Sequence, residues 1–167
     1  MVSSKLPRIT VLLAVGLALA GCAEGSIAYG TDPADLPGTW RADLGSASPV
    51  VLTLNADGSL DGADWPEQLN CTDDVESREQ LGLSRRVDVA GHWTSDIEGS
   101  DAYVRFFLDP SPCSRGSFPG VIWRDHGGLQ FCVLIPRSLD PDSATFDTTL
   151  IFRPDGEQES SMRGCGF

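Results

Sequence analysis

The sequence predicts an all-β domain, a small antiparallel up-and-down barrel of about seven or eight strands held by two disulfides. Three observations predict it. Apolar runs of strand length alternate with polar residues at a period of two. Turn signals rich in Gly, Asp, Asn and Pro separate these runs. Beyond Cys22, four cysteines are spread through a chain that opens with the features of an export signal, the setting in which cysteines pair.

The start of the chain carries the cations Lys5 and Arg8 and no acid, followed by an apolar run from Ile9 to Ala20. That run has the length of a signal-peptide core and falls short of the roughly 20 apolar residues a membrane-spanning helix needs. It ends in Leu19-Ala20-Gly21-Cys22, which resembles the lipobox of bacterial lipoproteins. The resemblance implies a diacylglyceryl group on the Cys22 thiol, cleavage ahead of that residue, and a location on the outer face of the cytoplasmic membrane, in the cell envelope. Small Ala20 and Gly21 let an extended chain enter a peptidase groove, and the thiol supplies the nucleophile. Two acyl chains suffice to hold a protein on a bilayer. The expected organisation is a signal peptide over 1–21, a lipidated N-terminus and tether over 22–36, and one domain over 37–167. A flexible tether of that length spans roughly 20 Å on average.

Without the leader, ten arginines face 24 acids, a formal charge of −14, and no lysine remains. Such a surface repels nucleic acid and anionic lipid, so nucleic-acid binding is excluded from the expected functions, and the acidity reads as solubility. Setting Cys22 aside leaves Cys71, Cys113, Cys132 and Cys165, for which three connectivities exist. No two are spaced as C-x-x-C, so neither a zinc nor a redox site is expected. The expected pairs are Cys71–Cys113, joining two loops, and Cys132–Cys165, pinning the tail to a strand.

The strands follow in order. Val50 to Leu54 forms one run, Asn55-Ala56-Asp57-Gly58 a turn, and Ser59-Leu60 restarts a strand. Arg86 to Val89 alternates and continues through Gly91-His92-Trp93. Ala102 to Leu108 is stopped by Asp109-Pro110. Val121 to Arg124 and Leu129 to Ile135 flank Asp125-His126-Gly127-Gly128 as a hairpin, and Thr145 to Arg153 completes the series. Only Thr72 to Leu83 reads as helical, with Asp73 and Glu76 in capping positions. A repeat aligns Gly38-Thr39-Trp40, Asp43, Leu44 and Val51 with Gly91-His92-Trp93, Asp96, Ile97 and Val104 without gaps. Two hairpins built alike suit a barrel that closes on itself.

The stretch Gly38 to Ser46, followed by Asn55 to Gly62, is similar to the first hairpin of the avidin family. Avidins and lipocalins are up-and-down barrels whose opening strand carries Gly-x-Trp, with the indole packed at one end. The resemblance covers about 25 residues well and implies the barrel rather than the ligand. Ser46 matches a ligand-contacting serine, whereas Ala42, Asp64 and Pro66 stand where polar or aromatic contacts are expected.

Asp57 to Gly62 begins like a calcium loop, yet Gln68 occupies the twelfth position where a bidentate glutamate is needed, so a hairpin turn is the expected structure. His126-Gly127-Gly128 lacks a G-x-S-x-G partner, and neither His92 nor His126 has a nucleophile motif beside it, so no catalytic residue is expected. No metal or cofactor motif is present. Trp40, Trp93 and Trp123 are the candidate aromatics of the barrel. The expected function is non-enzymatic binding of a small apolar ligand at the barrel mouth. The alternative is a protein-interaction module or inhibitor acting through the loops of a solid barrel, the long stretches Trp65 to Arg86 and Asp109 to Gly120, with an envelope protein as partner.

Overall fold

Side-chain alternation along each strand decides which face is apolar, and the sheet curls until that face meets itself. In the computed structural model, which describes residues 26–45, 48–71, 75–96, 102–109, 117–125, 128–135, 145–155 and 165, nine strands form one antiparallel sheet. They are β1 (Ser26–Ile27), β2 (Gly38–Ala42), β3 (Val50–Leu54), β4 (Ser59–Pro66), β5 (Arg86–Asp96), β6 (Tyr103–Leu108), β7 (Phe118–Asp125), β8 (Gly128–Leu134) and β9 (Thr149–Pro154). Each of β2 to β9 pairs with its sequence neighbour except across the seam, where Trp40 and Arg41 of β2 meet Pro154 and Arg153 of β9. That seam closes an eight-strand up-and-down barrel, as the strand series and Gly-x-Trp hairpins led one to expect.

Inward positions carry Val50, Leu52 and Leu54 on β3, Val104, Phe106 and Leu108 on β6, and Phe131 and Val133 on β8, all buried. The outer positions between them are polar or half-exposed on β3 and β6. One strand breaks the alternation. Gly62 pairs with Val89 and Trp65 with Val87, so Ala63 and Asp64 together oppose Asp88, and Asp64 takes a φ of 53°. This β-bulge shifts the phase of β4 by one residue and turns the Trp65 indole into the core, where it is fully buried.

The barrel has two unlike ends. At the turn end lie the Asn55–Gly58 turn, with Gly58 at a φ of 85°, and the β7–β8 connection, where Asp125 pairs with Gly128. The loop end holds the longer connections, including helices α1 (Glu67–Cys71) and α2 (Arg78–Gly82) and a 3-10 turn at Phe146–Thr148. Leu69, Val75 and Leu81, from the segment that carries α1 and α2, join the barrel core and cover this end.

Three expectations need correction. Of the helical stretch expected over Thr72 to Leu83, residues 72–74 lie outside the described residues and the remainder holds one short helix, α2, capped by Ser77, whose hydroxyl accepts from the Gln80 amide, rather than by Glu76. The tether expected over 22–36 is part of the fold from Ser26 onward. Ser26 and Ile27 pair with Arg124 and Trp123 of β7, a 3-10 turn follows at Pro33–Asp35, and Leu36 is fully buried at the turn end. The long loop expected between Asp109 and Gly120 gives way to strand at Phe118, because Phe118 and Gly120 pair with Phe106 and Val104.

Candidate functional site

Within the barrel, aromatic rings occupy described inward positions from one end to the other. The Trp40 and Phe131 centroids lie 3.9 Å apart, and Phe106 meets Phe131 edge-on at 5.9 Å. Nearer the loop end, Trp65 packs on Phe118 at 5.6 Å and on Phe152 at 6.3 Å. Rings at such separations exclude water and add about 0.5–1.5 kcal/mol per pair beyond their area.

Two of the three expected aromatics take part. Trp40 donates its indole N–H to the Leu36 carbonyl at 3.0 Å, and Trp93 donates to the Asn55 carbonyl at 2.9 Å. Both indoles therefore tie the barrel wall to the chain that closes the turn end. Trp123 does not join them. Its neighbour Ile122 points inward against Phe131, so Trp123 lies on the outer face beside Ile27 and Gln130. Trp65 also lies inside the barrel, turned inward by the bulge, where strict period-two counting along β4 places it outside. On that outer face the Trp123 Nε1, the Gln130 amide and the Thr149 hydroxyl are buried with no hydrogen-bond partner among the described residues.

The remaining sequence candidates fall as follows. The structure joins Cys132 on β8 to Cys165 with a Cα separation of 5.9 Å, the pairing expected for the tail. Cys22, Cys113, Ser46 and His126 lie outside the described residues, as does the Cys71 side chain. Ala42 is a fully buried wall residue. His92 is exposed on the outer face and stacks on Phe107 at 4.6 Å. The Asp57 carboxylate is occupied by its own turn: it accepts from the Ser59 amide at 2.9 Å and from the Ser59 hydroxyl at 2.7 Å. These bonds hold its carboxyl below the usual carboxylate range, the hydroxyl contributing most. Among the described residues, no three His, Cys, Asp or Glu side chains gather where they could hold a metal ion. No described helix is long and apolar enough to cross a membrane.

Surface chemistry concentrates at two recesses. At the loop end an open groove of about 450 Å³ is lined by Leu44, Leu83 and Phe146, with Asp43, Arg78 and Glu79 at its rim. Leu83 is 84% exposed, because α2 buries Leu81 and its chain reversal leaves Leu83 outside. Arg78 is already engaged: its guanidinium sits 4.1 Å over the Phe146 ring and donates to the Asp43 carbonyl. Arg78 thereby staples α2 to the 3-10 turn, and the Asp43 and Glu79 carboxylates give the rim its acidic character. At the turn end a recess of about 530 Å³ runs between Asp35, Pro37, Trp40, Leu129 and Pro154. Beside it Arg41 pairs with Asp155 at 2.5 Å. Arg86 donates to the Asp64 carbonyl at 3.0 Å while burial lowers its pKa and the Asp64 charge opposes that shift. Sequence reasoning did not single out Leu83 or Phe146; the groove forms from three separate loops.

No protein-family model matches the chain, and neither a curated protein nor a solved structure matches it.

Proposed function

We propose that the chain is a lipid-anchored, non-enzymatic recognition protein of the bacterial cell envelope, whose filled barrel presents its binding surface at the loop end. The anchoring rests on the basic start, the apolar core and the Leu19-Ala20-Gly21-Cys22 box. The choice of surface over interior rests on one observation, the packing of Trp40, Trp65, Phe106, Phe118, Phe131 and Phe152 across the barrel. An eight-strand barrel is just wide enough to be filled by side chains or to hold one small ligand, and here rings take that space. The loop-end groove offers an apolar floor beside two carboxylates on a strongly acidic domain. It suits a partner surface carrying an apolar side chain next to a cation.

The test is native mass spectrometry of residues 23–167, produced in an oxidising compartment, together with titration of an apolar fluorescent dye. A solid barrel gives the bare chain mass, lighter by the hydrogens of its disulfides, and no saturable dye uptake. An added mass that leaves on denaturation, with saturable uptake, overturns this reading in favour of a small apolar ligand held inside.

A further inference from the structure

The N-terminal segment fixes where the chain leaves the barrel. Ile27 and Ser26 pair with Trp123 and Arg124, the Ala28 amide donates to the Ile122 carbonyl at 3.0 Å, and the Thr31 hydroxyl returns to the Ala28 carbonyl at 2.8 Å. With Ala28, Thr31 and Leu36 all buried, this segment is wall and not leash. Ser26 therefore emerges at the turn end, the opposite end from α1, α2 and the groove of Leu44, Leu83 and Phe146. Only residues 23–25 stand between Ser26 and Cys22. At no more than about 3.6 Å per residue, those four steps reach at most about 14 Å.

We propose that the barrel stands on the lipid surface on its turn end, held there by lipidated Cys22, with the loop-end groove facing away from the membrane. The proposal rests on the lipoprotein reading above and adds an orientation to it. One surface feature agrees. Tyr29, 56% exposed beside β1, places a ring with one apolar and one polar end where the headgroups lie. The exposed carboxylates of Asp32 and Asp35 at the same end give no attraction to anionic lipid, so the anchor and the short reach, rather than charge, set the pose. Strands of about eight residues at roughly 3.3 Å per residue, tilted by about 40°, separate the two ends by about 20 Å. A partner is then met from the outward side, and the turn-end recess at Trp40 faces the bilayer.

The experiment uses the full lipidated chain in phosphatidylcholine vesicles containing a headgroup-labelled acceptor lipid. Donor dyes are placed at A56C in the turn end and, separately, at E79C in the loop end; both positions are exposed. Energy transfer is expected to place the Ala56 position about 20 Å nearer the bilayer than the Glu79 position. A flexible Gly/Ser insertion of about 15 residues after Glu24 is expected to erase that difference while leaving vesicle binding intact. Equal distances, or a nearer loop end, in lipidated and vesicle-bound protein overturn the orientation alone. Protein that carries no lipid mass and stays in the supernatant overturns the lipoprotein reading and the orientation with it.

Discussion

At the scale of single residues, the indoles of Trp40 and Trp93 each do two jobs. The ring fills the interior, and the N–H reaches a backbone carbonyl in the chain that closes the turn end. Trp40→Phe and Trp93→Phe keep most of the apolar area but leave that carbonyl unpaired. Each is expected to lower the unfolding free energy by about 1–3 kcal/mol, read from the urea midpoint at unchanged slope. Asp57 acts at the same scale through charge. Its carboxyl is depressed by the Ser59 hydroxyl and amide, so its contribution is present above the unfolded pKa and fades as pH falls through the folded one. Melting temperature followed from pH 7 downward is therefore expected to fall less steeply in Ser59→Ala than in the native chain at acid pH, where the carboxylate titrates. Identical profiles would contradict the role given to the hydroxyl.

At the scale of elements, β5 shows why the repeated Gly-x-Trp need not mean one thing twice. Gly91 pairs with both Leu60 and Leu108, and a Cβ there would run into the Phe107 backbone on β6. Gly91→Ala forces two central strands apart and is expected to cost several kcal/mol or to abolish folding, in the range of severe core overpacking. A variant with native stability would show that β5 and β6 are spaced otherwise. The α2 helix lies within the stretch the sequence predicts as helical but starts later than Asp73 or Glu76 would set it, because its start lies in Ser77-Arg78-Glu79-Gln80, a capping-box pattern one residue beyond Glu76. That signal was legible. The β4 bulge was not, since nothing local distinguishes Ala63-Asp64 from ordinary strand, and the shifted register depends on where Val87 and Val89 sit across the sheet.

At the scale of the whole molecule, the proposed function treats the barrel as solid, its interior a source of stability and its loop end a platform. Phe131 lies at the centre of that interior, in contact with both Trp40 and Phe106. Phe131→Ala is expected to cost about 3–5 kcal/mol, and the cavity it leaves should admit an apolar dye that the native barrel refuses. Dye uptake equal in the two proteins would count against a filled native interior.

The sequence by itself determined the all-β class, the series of antiparallel strands and the strongly acidic surface. Each of these follows from period-two alternation, turn residues or composition, all of which are local. Tertiary structure alone decided that Trp65 faces inward and Trp123 outward, that residues 26–36 are wall rather than tether, and that Leu44, Leu83 and Phe146 share a groove. Those outcomes turn on register, on a single bulged residue pair and on contacts between loops far apart in the chain. A one-residue shift in strand pairing exchanges the two faces, and short-range pattern carries no information about which shift the closed barrel requires.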